Sequence, residues 1–161
     1  MKKSLYVIFC LLIVPYLAWR IFQYSWYQGA IPEKIDVTYA LNISGNGSII
    51  RDACGAAIFK ITNTSANIIS RDGLFFLQDA IYPRNSENFR HIYKPWKKTP
   101  VPDSWTSEGT WPGLSCSNAS RPLIRKIIDA AKNKGSYYTS GSARLIVVIP
   151  HLKLVVFSYF G

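Results

Sequence analysis

The conventional acid–base groups of this 161-residue chain are few: two histidines, His91 and His151, and nine carboxylates. Neither histidine has a cysteine or aspartate at a metal-ligand spacing, or a serine in a nucleophile motif, so both read as surface histidines. Paired carboxylates are the other route to catalysis. Asp103 and Glu108 flank Trp105, and Asp79 and Glu87 come earlier. A carboxylate pair beside a tryptophan suits glycan cleavage, one group protonating the leaving oxygen while the other acts as base or nucleophile. Pairs at arbitrary spacing occur in any chain of this size, however. There is no Gly-rich phosphate loop, no H-E-x-x-H and no G-x-S-x-G. The residues point to no cofactor and to no metal.

The stretch with most chemical promise is aromatic and basic. It contains Tyr93, Lys94, Trp96, Lys97 and Lys98, followed by Trp105 and Trp111. Tryptophan and tyrosine concentrate binding energy at protein interfaces. Beside lysines they also stack on, and pair with, anionic glycans or headgroups. The alternative is that these tryptophans form the core of their own loop, since aromatic rings with a polar edge bury well. The loop, from Ile81 to Ser120, carries Pro83, Pro95, Pro100, Pro102 and Pro112. An irregular segment of about forty residues is uncommon unless it is functional or pinned, and its tryptophans argue for packing rather than disorder.

Two cysteines, Cys54 and Cys116, supply the pin. In an oxidising compartment they are expected to form a disulfide. Closing a loop of about sixty residues contributes on the order of 4 kcal/mol in the chain-entropy model. Two separate buried thiols are the alternative.

The N-terminal stretch decides the compartment. Lys2 and Lys3 precede an apolar run from Leu5 to Trp19, then Arg20 and the aromatics Phe22, Tyr24, Trp26 and Tyr27. This suits either an uncleaved signal anchor or a cleaved signal peptide. The residues after the run are too bulky for a small-residue cleavage site, which favours the anchor. A spanning helix needs about 17–25 apolar residues, so the run must continue through Ile21 and Phe22, with Arg20 reaching the headgroups. The aromatics suit an interfacial belt. Lys2 and Lys3 place the N-terminus in the cytoplasm. Cys10 sits mid-run without the small residues a lipid-attachment site needs and reads as one more apolar side chain.

Net charge is +10, with nineteen Lys and Arg against nine Asp and Glu. Setting Lys2, Lys3 and Arg20 aside leaves sixteen against nine in the exported part. That balance favours an anionic partner, and the export signal argues against nucleic acid.

The elements follow from periodicity. Ile35, Val37, Tyr39, Leu41 and Ile43 alternate as in a half-buried strand, and Ala53–Thr62 reads as a second strand. Thr64 or Ser65 is placed to cap a short helix that Gly73 ends. Leu74–Leu77 suits a strand or a helix start. Ser120 opens the clearest helix, with Leu123, Ile124, Ile127, Ile128 and Ala131 on one face and Gly135 at its end. Tyr137–Thr139 is a short strand. A hairpin closes the chain, Arg144–Ile149 turning at Pro150–His151 into Leu152–Phe160, with enough Val, Ile and Leu to be covered on both faces.

The expected architecture is α+β. A transmembrane anchor over residues 1–28 contacts lipid through residues 5–27, and 29–34 is a linker. The exported domain, 35–161, has a mostly antiparallel sheet, one long helix, a C-terminal hairpin and the disulfide. The expected role is a non-catalytic periplasmic interaction module on the inner membrane, either an envelope accessory or an immunity-type protein. Its partner would be another envelope protein or an anionic envelope polymer. The alternative is a small cell-wall or glycan-active hydrolase using the loop carboxylates.

Overall fold

The computed structural model describes residues 2–46, 53–84, 92–107, 109 and 111–161, the side chains of 2–10 and 46 excepted. The fold is α+β, built on one six-stranded sheet in which every pairing is antiparallel. The strands are β1 (Val37–Asn46), β2 (Cys54–Ile61), β3 (Lys97–Lys98), β4 (Tyr137–Gly141), β5 (Arg144–Ile149) and β6 (Leu154–Phe160), in the spatial order β1-β2-β6-β5-β4-β3. The helices are α1 (Lys2–Gly29), α2 (Asn63–Asp72), α3 (Leu74–Leu77), α4 (Asp103–Thr106) and α5 (Arg121–Lys132).

The centre of the sheet is apolar on both sides, as the composition of β2, β5 and β6 requires. Successive side chains along a strand point to opposite faces. Ala57, Phe59, Ile146, Val148, Val155 and Phe157 form one core with Tyr27, Ile31, Ile69 and Leu77 from the helical side. Ala56, Ile58, Val147, Ile149, Leu154 and Val156 form a second core with Ile127, Ala131 and Trp111. The sheet is thus the middle layer of three. The closing hairpin has its first arm as expected, but a 3-10 turn at Pro150–Leu152 takes in Leu152 and the second arm begins at Leu154, two residues later than expected.

Local chemistry accounts for the helices. Thr62 caps α2, its side chain accepting from the Ser65 amide, two residues before the nearer of the two expected caps, Thr64. Ser65 is instead buried, its hydroxyl accepting from the Asp36 amide at 3.1 Å. Gly73 ends α2 with φ 54°, and Leu74–Leu77 continues as helix rather than strand. In α5, Ile127, Ile128, Ala130 and Ala131 are buried, and the helix stops at Asn133, two residues before the expected Gly135.

The first strand departs from strict alternation. Its register shifts between Val37 and Ala40 and again between Ala40 and Asn42. These bulges turn Ala40 and Ile43 toward the core and leave Tyr39 and Leu41 exposed. The expected period-two face therefore holds only at its ends.

Helix α1 and the segment after it also differ from expectation. The first four residues of 29–34, expected as a linker, are buried, Ala30 and Ile31 in the core and Pro32 bridging to Pro83, while Glu33 and Lys34 stay exposed. Tyr27, expected in an interfacial belt, is buried against Phe157 and Tyr159. Before Gln23 the helix stands clear of the sheet, with Leu11, Leu12, Val14, Leu17, Ile21 and Phe22 exposed. No helix among the described residues is long and apolar enough to cross a membrane. The Leu5–Cys10 side chains, part of the expected span, lie outside the described residues.

Candidate interaction surface

The structure divides the seven aromatic and basic residues of the 93–111 stretch into two sets. Tyr93, Trp96 and Trp111 are buried. Each has its single polar atom satisfied, which is how such rings enter a core. Tyr93 Oη donates to the Ala30 carbonyl at 2.8 Å, and Trp96 Nε1 donates to the Ala80 carbonyl at 2.8 Å. Trp111 Nε1 donates to Ser158 Oγ at 2.9 Å on the opposite face of the sheet. Burial pushes the Tyr93 phenol pKa above its ordinary value, against an opposing pull from Arg144. These three side chains pin the loop to both cores. Being sealed from solvent, they do not form a binding surface.

Lys94, Lys97 and Lys98 are exposed, and Trp105 is half-buried. The β3 strand positions the pair of lysines at the far edge of the sheet, Lys97 opposite Tyr138 and Lys98 opposite Tyr137. Directly opposed residues share a face. Lys97 therefore lies on the same side as Tyr138, against whose ring Trp105 packs edge-on with centroids 5.2 Å apart. Trp105 also touches Trp111, at 6.2 Å. A half-exposed indole thus rests on a buried one beside an exposed lysine.

Next to this cluster is an open depression of about 440 Å³, lined by Pro100, Val101, Asp103, Thr106, Ser107 and Lys132. Lys132 and Tyr138 are the residues that sequence reading missed here. The basic last turn of α5 was a visible signal for Lys132. For Tyr138 there was none, because its place depends on β3 pairing with β4. The backbone around Lys94 is held firmly: its amide donates to the Ser140 carbonyl at 2.8 Å, and its carbonyl accepts from Thr139 Oγ1 at 2.5 Å. The side chain alone is presented. Lys97 and Trp105 thus share one face of this rigid edge, and Lys98, opposite Tyr137, lies on the other.

The groups that would serve hydrolysis are not gathered among the described residues. Asp103 is exposed at the start of α4, and Asp79 is an exposed partner of Lys34 at 3.5 Å. Glu87, His91 and Glu108 lie outside the described residues. His151 is exposed at the turn before β6. No cluster of three or more His, Cys, Asp or Glu is placed to hold a metal among the described residues.

Cys54, at the start of β2, is bonded to Cys116 in the 3-10 turn Leu114–Cys116, as the pairing of the two had suggested. The bridge ties the end of the long loop to the sheet. It is consistent with a domain outside the cytoplasm.

Compared with protein-family models, curated proteins and solved structures, the chain shows no match.

Proposed function

We propose that the protein is a non-catalytic interaction module tethered to the inner membrane by α1, with its sheet domain in the periplasm or another extracytoplasmic space. The observation that carries this reading is the change in surroundings along α1. From Leu11 to Phe22 the exposed apolar side chains occupy every side of the helix, at about 3.6 residues per turn. A helix apolar all round belongs in a membrane or in a protein core. From Tyr24 onward the same helix packs into the domain. The lipid contact is accordingly read over residues 5–22 rather than 5–27. Eighteen residues of helix rise about 27 Å, close to the hydrocarbon thickness.

The disulfide supports an oxidising compartment. Lys97 beside the half-buried Trp105, with Lys94 and Lys98 exposed along the same sheet edge, supports a partner that is acidic, either an envelope protein or an anionic polymer. Size and an exposed cation–aromatic cluster suit an envelope accessory or an immunity-type protein.

Photo-crosslinking from positions 97, 98 and 107 in intact cells tests the reading. One envelope component is expected to be captured. Capture of lipid alone would remove the protein-partner role. Recovery of the intact chain from cytosol, with Cys54 and Cys116 as free thiols, would remove the location as well.

A further inference from the structure

We infer that the β1 edge of the sheet lies against the bilayer, with Tyr39 and Leu41 seated at the lipid interface. The inference rests on the membrane-tethered reading of α1 and adds the orientation of the domain to it.

The path of α1 is the first observation. Near its C-terminal end, Trp26 and Tyr27 pack on Phe157 and Tyr159 of β6. One turn earlier, Tyr24 packs on Phe59 of β2 and donates to the Thr38 carbonyl of β1 at 3.2 Å. Tyr27 also donates to the Ser44 carbonyl of β1 at 3.3 Å, so both turns rest against β1, and followed back toward its start the helix passes from Ser44 to the beginning of that strand before it is clear of the sheet. The apolar collar emerges on the β1 side.

The bulges of β1 are the second observation. They leave Tyr39 and Leu41 without partners on β2, at 55% and 42% exposure. Sheet edges are ordinarily guarded by charge, proline or a bulge. Here the bulges carry an aromatic and an aliphatic side chain, beside the strand residue that holds α1. Two bulges in one strand also interrupt the ladder that a second chain would need to pair with. An apolar interface that needs no ladder is the better fit, and lipid is such an interface. Tyrosine is favoured at headgroup level. Arg20 on α1 supplies a cation for anionic headgroups, against the exposed Asp36 just before β1.

The full chain, carrying Cys10→Ser and with the native disulfide formed, would be reconstituted in phosphatidylethanolamine–phosphatidylglycerol vesicles. A polarity-sensitive fluorophore would be attached at single cysteines replacing Phe22, Tyr39, Leu41 or Lys98. Lipids bearing a nitroxide near the headgroup report contact by quenching. The loss of emission at 39 and 41 should approach that at 22. It should be absent at 98, about 24 Å away across the strand spacing of the sheet. Quenching at 22 but not at 39 and 41 would overturn the orientation and leave the tether standing. Equal quenching at 98 would also overturn it, since the domain would then lie flat. No quenching at 22 would remove the tether, and the orientation with it. Disulfide-linked pairs of Tyr39→Cys chains without quenching would assign the edge to a second copy and overturn the lipid assignment.

Discussion

Three ring side chains hold the long loop, and each does so through one hydrogen bond inside an apolar contact. Trp111 is the clearest case, fully buried with its indole nitrogen on Ser158 Oγ. Ser158→Ala should therefore strand a buried donor and cost about 1–3 kcal/mol. Lys97→Ala, on the surface, should stay within about 0.5 kcal/mol. Urea denaturation compares them, and equal effects would refute the pinning role of Trp111. Tyr93 gives a pH-dependent test. Burial raises its folded pKa above 10.0, so the phenol ionises first in the unfolded chain. Its contribution is complete below about pH 10 and is lost as pH rises toward the higher folded value, by up to about 1.4 kcal/mol per pH unit. Tyr93→Phe should flatten that alkaline decline and lower stability at neutral pH by about 1 kcal/mol, the value of the lost bond to Ala30. An unchanged alkaline slope would show that other groups set it.

At the scale of elements, caps and bulges explain where expected boundaries moved. The threonine just outside α2 accepts from the Ser65 amide, so the helix begins at Asn63 and the serine is released to serve the backbone of Asp36. Gly113 sets the turn that delivers Trp111 and Leu114 to the sheet. Its φ is 84°, and a Cβ there would stand 2.6 Å from the Tyr159 carbonyl oxygen. Gly113→Ala combines an unfavourable backbone with a backbone collision, so it should lose more than about 1 kcal/mol. A melting temperature equal to that of the parent would show that the turn relaxes freely. In β1, alternating residue types suggested one inward face, but two register shifts divide that face between core and surface.

At the scale of the molecule, the last turns of α1 and the segment that follows it belong to the core of the sheet domain. Tyr27, Ile31 and Ile35 are buried in the first core. Each such side chain contributes about 1.5–3 kcal/mol, which together approaches the stability of a whole domain, about 5–15 kcal/mol. A chain beginning at Gln23 should keep the fold and gain solubility, because residues 11–22 present mainly exposed apolar side chains clear of the sheet. A chain beginning at Asp36 should fail to give a cooperative transition. Circular dichroism on heating distinguishes the two, and equal transitions would mean that the junction contributes nothing to the domain.

Much of this arrangement was readable from residue order. Periodicity located β2, α5 and the closing hairpin, because those segments bury continuous or strongly amphipathic faces. The pairing of Cys54 with Cys116 followed from their being the two cysteines after the N-terminal apolar run. What order alone could not decide was whether an aromatic ring faces solvent or the core. Tyr93, Trp96 and Lys97 are near neighbours in a loop without periodicity, yet two are sealed and one is exposed. The reason is that their burial depends on Ala30, Ala80 and β4, segments well separated in sequence that only the folded sheet brings alongside them.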